Sequence, residues 1–288
     1  MKKLISLIIA VTVLAMSALH GFSATSAEKE KLLLLGDSIA YGYGLTSDNE
    51  KYGNIIANDY NFELINDAVV GDATSDLLKL IKTNTAVQND IQSAQTIVIS
   101  IGGNDFLGLR KNATLTDLTD IISKGEKSTV LVNMLKNVKT NLAEIHKKLR
   151  ELNGAAKIIL QTVYNPFQGR SDTFTNMLCD IVNLIRKDFT KYYFDEVKDD
   201  EDMVIADIES LFRNYYTDKN YNGTEIVQSD YVHPTAKGHQ MIADEIEPAI
   251  DLVHRARWTT LSRSANCLIR LTKQINENSD TEVTNPTE

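Results

Sequence analysis

The chain has 288 residues, 43% of them hydrophobic and 24% charged, with a formal net charge of −9. That balance supports a sizeable apolar core and argues against disorder, and the acidic excess makes nucleic acid an unsuitable partner. Two cysteines, Cys179 and Cys267, are too few for a disulfide scaffold and leave both a single bridge and two separate thiols open.

Lys2 and Lys3 precede an uncharged apolar run from Leu4 to Leu19, and small residues follow as far as Ala27. The run is shorter than the roughly 18 to 20 residues of a spanning helix, so the layout predicts a signal peptide over 1–27, cleaved after Ala27, and a soluble, secreted mature protein. Losing Lys2 and Lys3 makes that protein more acidic still.

From Lys31 onward short apolar runs alternate with longer helical patterns. Strands are predicted at Leu32–Leu35, Phe62–Asn66, Thr96–Ile101, Lys157–Val163 and Met203–Ile208. Each is continuously apolar at its centre, as a strand buried on both faces must be. Strands separated by helices predict an α/β fold, a five-stranded parallel sheet with helices on both faces. Between the third and fourth strands, Leu131, Leu135, Val138, Leu142, Ile145, Leu149 and Leu152 recur at three- and four-residue steps, with Gly154 as the stop. Helical character returns around Met177–Ile185, and Asn214–Ser229, rich in Asn, Asp, Gly and Tyr, reads as a long loop. Pro234 suits the first turn of a further helix, and Pro248 predicts a kink or restart within it.

One domain over 28–254 is expected, then a basic amphipathic helix over 255–275 and a disordered polar tail over 276–288. In the basic segment Trp258, Leu261, Ala265, Leu268, Leu271 and Ile275 follow helical spacing among Arg255, Arg257, Arg263, Arg270 and Lys273. It either docks on the acidic surface of its own domain or makes peripheral contact with anionic lipid or cell-wall polymer.

Ligands of an open parallel sheet bind beyond the carboxyl ends of its strands. There the first strand ends in Gly36-Asp37-Ser38, the second leads to Gly71, the third ends in Gly102-Gly103-Asn104-Asp105, and the fifth leads through the loop to Asp230-Tyr231-Val232-His233. Ser38 alone reads more readily as a helix N-cap than as a nucleophile. A serine hydroxyl becomes a nucleophile when a base removes its proton, and histidine suits that task near neutral pH. Of the histidines outside the signal, His146, His239 and His254 fall in helical patterns, and His233 stands at a loop-to-helix boundary, with Asp230 close enough to orient its imidazole. Ser38 N–H, Gly71 N–H and the Asn104 side-chain amide are candidate donors to an oxyanion. Tyr41, Tyr43, Phe106, Leu107, Tyr164 and Phe167 follow strand ends and are candidate pocket residues.

These four segments resemble the sequence blocks of the SGNH hydrolases, or GDSL esterases and lipases. Leu35-Gly36-Asp37-Ser38-Ile39 is similar to the nucleophile block, with Ile39 where leucine is usual. Gly71 is similar to the oxyanion glycine, Gly102-Gly103-Asn104-Asp105 to the third block, and Asp230-Tyr231-Val232-His233-Pro234 to the last. Ala68 departs from the glycine that relatives often carry after Asn66. The resemblance runs from about Lys31 to Val253, and the basic segment lies beyond it. It implies a flavodoxin-like three-layer αβα fold, no metal or other cofactor, and Ser38, Gly71, Asn104, Asp230 and His233 in the roles named above. The expected substrate is a small-molecule, lipid or glycan ester.

Rival chemistries fit less well. There is no Gly-x-Ser-x-Gly elbow and no His-Glu-x-x-His. Gly36, Gly42 and Gly44 match neither the dinucleotide nor the Walker spacing. The alternative from another class is a catalytically silent protein of this fold that binds cell-surface glycan or lipid.

Overall fold

The computed structural model describes residues 28–251, apart from 113, 170–171 and 219–223. The expected signal peptide, the basic segment, the polar tail, His254 and Cys267 therefore lie outside the described residues. The strands are β1 (Lys31–Gly36), β2 (Glu63–Asn66), β3 (Thr96–Ser100), β4 (Lys157–Gln161) and β5 (Met203–Ala206). All pair in parallel, in the order β2-β1-β3-β4-β5, with Leu33 opposite both Ile65 and Ile97, and Val98 opposite Ile159. The helices are α1 (Ser38–Tyr41), α2 (Tyr52–Asp59), α3 (Thr74–Thr83), α4 (Thr85–Ser93), α5 (Gly103–Asn112), α6 (Leu115–Lys124), α7 (Thr129–Leu152), α8 (Thr173–Val197), α9 (Ile208–Asp218) and α10 (236–251).

Successive side chains of a strand point to opposite faces, and both faces here are apolar. Leu33, Leu35, Ile97, Ile99, Ile158 and Leu160 pack with α3, α4, α7 and α8. Leu32, Leu34, Val98 and Ile159 pack with α2, α9 and α10. That is the three-layer αβα arrangement, and it explains why the three central strands read as unbroken apolar runs. β2 and β5, at the edges, are partly exposed. The order reverses direction between β1 and β3, which opens a crevice at their carboxyl ends.

Five strands were expected and five are found, but three end early. Ile101, Thr162-Val163 and Asp207-Ile208 leave the sheet, Thr162 and Asp207 because their side chains bond each other at 2.9 Å while Asp207 also caps α9. The stretch expected as loop is helical from Asn214 to Asp218, since Phe212 and Tyr216 are buried in the core and draw α9 onward despite its polar composition. The helix expected around Met177–Ile185 is the middle of α8, extended by buried Phe189 and Tyr193. Pro234 is not in the first turn of α10. It forms an antiparallel bridge with Val227, within a doubled-back segment in which Gln228 N–H donates to the His233 carbonyl at 2.7 Å and Thr235 N–H to that of Ile226 at 2.9 Å. Nor does Pro248 interrupt α10, whose fully buried Ile242, Ile246 and Ile250 hold it on the sheet.

Candidate active site

At the end of β1, Gly36 adopts φ +124°, and a Cβ there would stand 1.8 Å from the Ser100 carbonyl oxygen of β3. Only glycine lets the two strands close so tightly, and Asp37 N–H then donates to that oxygen at 2.9 Å. Asp37, not Ser38, caps α1: its buried carboxylate accepts from Ile39 N–H at 3.0 Å and from Ser100 Oγ at 3.4 Å. Burial pushes this carboxyl up to about 7, against those two hydrogen bonds and with help from the charges of Asp105 and Asp72. With the cap supplied by its neighbour, Ser38 becomes the first helical residue, and its hydroxyl is free for another partner.

That partner is His233. Ser38 Oγ lies 2.9 Å from His233 Nε2, and His233 Nδ1 lies 2.5 Å from Asp230 Oδ2. A carboxylate only accepts, so Nδ1 carries the proton and Nε2 presents a lone pair to the serine hydroxyl. Asp230 Oδ1 accepts from the backbone N–H of Val232 at 3.0 Å and of His233 at 3.1 Å. Burial works to raise the Asp230 pKa, but His233 and these two donors outweigh it and hold the carboxyl below its ordinary value. The turn that folds Asp230 under the imidazole places Tyr231 at φ +65°, a left-handed conformation that costs a non-glycine residue energy and recurs at functional sites.

The two oxyanion candidates arrive from neighbouring loops. Gly71 has φ +94° with open space where a Cβ would be. Asn104 Nδ2 donates to the Asp72 carbonyl at 3.0 Å, which leaves its second N–H for another acceptor. Asp105 accepts from Thr74 N–H at 2.9 Å and Thr74 Oγ1 at 2.7 Å. Together these bonds lash the segment after β3 to the segment after β2, so Gly71 and Asn104 are held as one unit.

Beside Ser38 and Asn104 a pocket of about 830 Å³, counted to its open mouth, runs between α5, the segment after β4, and α8. Phe106, Leu107, Tyr164 and Phe167 line it as expected. Tyr41 and Tyr43 do not. Both are close to half exposed, because they follow the tight end of α1 on the solvent side, where Tyr43 packs on the His233 ring with centroids 4.6 Å apart and Tyr41 lies under Lys51.

Tyr164, a pocket candidate in the sequence, also supports the histidine loop, and two further supporting residues, Gln228 and Arg186, escaped the sequence. Tyr164 Oη donates to the Val232 carbonyl at 2.5 Å. Gln228 Nε2 donates to the carbonyls of Tyr43 at 3.0 Å and Pro234 at 2.7 Å, and so ties the serine loop to the histidine loop. Arg186 of α8 lines the pocket. No local pattern marks these contacts, since each acts across a long separation in the chain. Cys179 is a half-buried free thiol near Asn165, away from the relay.

A parallel αβα sheet that delivers a serine, a histidine and an aspartate to one crevice defines the hydrolase class. A family model, GDSL-like Lipase/Acylhydrolase, matches residues 32–246, and the chain belongs to that family. It is 27% identical over 267 residues to the "Uncharacterized protein YpmR" of Bacillus subtilis (strain 168), covering 87% of this chain and 97% of that one. Among solved structures it is similar to the lipase Lip_vut3 from a goat rumen metagenome (TM-score 0.58, 20% identity, 76% of this chain and 97% of that one). It is similar also to the acetyl xylan esterase AlAXEase (TM-score 0.53, 18% identity, 76% and 99%). At these identities the structural likenesses establish the fold.

Proposed function

We propose that this chain is an exported serine ester hydrolase that cleaves acyl or acetyl esters, lipid- or carbohydrate-linked, through an acyl-enzyme on Ser38. The observation that carries the reading is the continuous relay from Ser38 Oγ through His233 to Asp230, at 2.9 Å and 2.5 Å. In the first half-reaction His233 Nε2 takes the hydroxyl proton as Ser38 Oγ attacks the ester carbonyl, while Asp230 stabilises the imidazolium. The tetrahedral oxyanion is held by Ser38 N–H, Gly71 N–H and the free N–H of Asn104. The imidazolium protonates the departing alcohol, leaving the acyl group on Ser38. Water, deprotonated by the same imidazole, then releases the acid and restores the hydroxyl. Export rests on Lys2, Lys3 and the apolar run Leu4–Leu19, with cleavage after Ala27. The mass of the protein recovered from culture fluid tests it.

Support for an ester substrate comes from family membership and from structural neighbours named as a lipase and an acetyl xylan esterase. The test is a panel of acetyl to palmitoyl 4-nitrophenyl esters, acetylated xylan and lysophospholipid, run beside Ser38→Ala. The wild type is expected to release 4-nitrophenol with a pre-steady-state burst, and Ser38→Ala to lose at least about 10³-fold in kcat while remaining folded. A Ser38→Ala protein that turned over normally would refute the assignment. A flat blank across the panel would favour a silent binding protein.

A further inference from the structure

The pocket beside Ser38 has walls of Phe106, Leu107, Val163, Phe167 and Phe189, and among its lining residues Arg186 is the one cation. The Arg186 side chain is only partly exposed, and its guanidinium has only part of a counter-charge. Its Nη1 donates to Glu209 Oε1 at 3.1 Å, but Glu209, 2% exposed, also accepts from Arg213 Nε at 3.1 and 3.5 Å. Two arginines therefore share one carboxylate. Arg213 further donates to Ser210 Oγ at 3.1 Å and Asn214 Oδ1 at 3.2 Å. Among the described residues Glu209 is the one hydrogen-bond acceptor for Arg186, and it is reached through Nη1. A guanidinium presents five donors in a fork that matches a carboxylate. The one carboxyl of the lining, Asp37, is pushed by burial up to about 7 and so carries only part of a negative charge near neutral pH.

From this excess cation we infer that the pocket selects esters whose pocket-bound chain ends in a carboxylate, half-esters of dicarboxylic acids, with Arg186 as the residue that recognises the anion. The inference rests on the ester-hydrolase reading and adds to it the chemical class of the chain. Apolar walls accept the methylenes, and the arginine accepts the terminal anion by paired charge-assisted hydrogen bonds. The proposal concerns specificity only and leaves the chemistry at Ser38 unchanged.

Two measurements test it. The first is the ratio of kcat/KM for mono-4-nitrophenyl suberate over 4-nitrophenyl octanoate, two esters alike in chain length. The wild type is expected to favour the suberate at least tenfold, Arg186→Gln to reduce that ratio at least tenfold, and Arg186→Lys to recover part of it. Arg213→Gln leaves Glu209 to Arg186 alone and keeps the guanidinium in place, so it is expected to lower the ratio less than Arg186→Gln does. That variant separates recognition from any general loss of the Glu209 ion pairs. The second is calorimetric binding of monomethyl suberate and methyl octanoate to Ser38→Ala, which needs no turnover: monomethyl suberate, which keeps its free carboxylate, is expected to bind more tightly, and Arg186→Gln in that background to abolish the difference. Equal rates for the two 4-nitrophenyl esters, equal binding of the two methyl esters, or an equal change in Arg186→Gln and Arg213→Gln would each overturn the inference. A protein that binds monomethyl suberate selectively but turns over neither 4-nitrophenyl ester would keep the anion site and sink the hydrolase reading.

Discussion

The side chains at this site are held by bonds that the motifs themselves do not contain. Gln228 bridges the carbonyls of Tyr43 and Pro234, and so fixes the distance between the loop that carries Ser38 and the loop that carries His233. A displacement of about 1 Å in a reacting group can cost up to 10² in rate. Gln228→Ala is therefore expected to lower kcat about tenfold with KM changed less than twofold; steady-state kinetics on one ester decides it, and an unchanged kcat would remove Gln228 from the positioning shell. Ser38 shows how narrowly sequence reading balanced. A serine at a strand-to-helix junction is by itself more often a cap than a nucleophile, and the matter turns on Asp37, whose carboxylate takes the Ile39 N–H and frees the hydroxyl.

Between elements, the ends of α7 and α8 are clamped by a polar cluster remote from the crevice. His146 bonds Glu196 at 2.8 Å and Asp200 at 2.7 Å, and Arg150 reaches Asp200 at 2.6 Å and 3.1 Å. The Glu196 bond raises the His146 pKa above its ordinary value, burial opposes it, and Asp200 adds to the rise. A histidine whose folded pKa is raised contributes stability that is complete below its unfolded pKa of about 6.5 and is lost as the pH climbs through the folded value. His146→Gln is expected to cost about 1 kcal/mol at pH 6 and clearly less at pH 9, as read from urea unfolding. A deficit that grew with pH would show that the imidazolium is not what clamps the helices. The element scale is also where sequence reading overreached. Loop composition at Asn214–Asp218 yielded to the burial of Phe212 and Tyr216, and the missing N–H of Pro248 did not break a helix anchored by Ile246 and Ile250.

At the scale of the whole molecule, a buried histidine of α10 is expected to make stability sensitive to acid. His239 is fully buried and accepts from Tyr52 N–H at 3.3 Å through Nδ1, and among the described residues its Nε2 has no partner. Burial depresses its pKa to about 3, with the charges of His233 and Lys51 adding to the effect. It stays neutral in the fold while the unfolded chain takes up a proton below about 6.5, so stability falls as pH drops through that window, at up to about 1.4 kcal/mol per pH unit. His239→Gln, which has no titrating ring, is expected to flatten the pH dependence of unfolding between pH 6 and pH 4 by close to one proton. An identical slope in the two proteins would place the acid sensitivity elsewhere.

The sequence by itself determined the five parallel strands and the helices on both faces, and it named Ser38, Gly71, Asn104, Asp230 and His233 as the candidate site. It could do so because a doubly covered sheet writes its strands as unbroken apolar runs, and because its chemistry must sit where those runs end. Only the tertiary structure decided the strand order, which places β1 beside β3 and brings Ser38 to Asn104. It also decided which residue caps α1, and the meeting of Arg186 with the pocket and with a carboxylate already paired to Arg213. Those are contacts between side chains far apart in the chain. Local pattern records which way a residue faces, not what it will meet there.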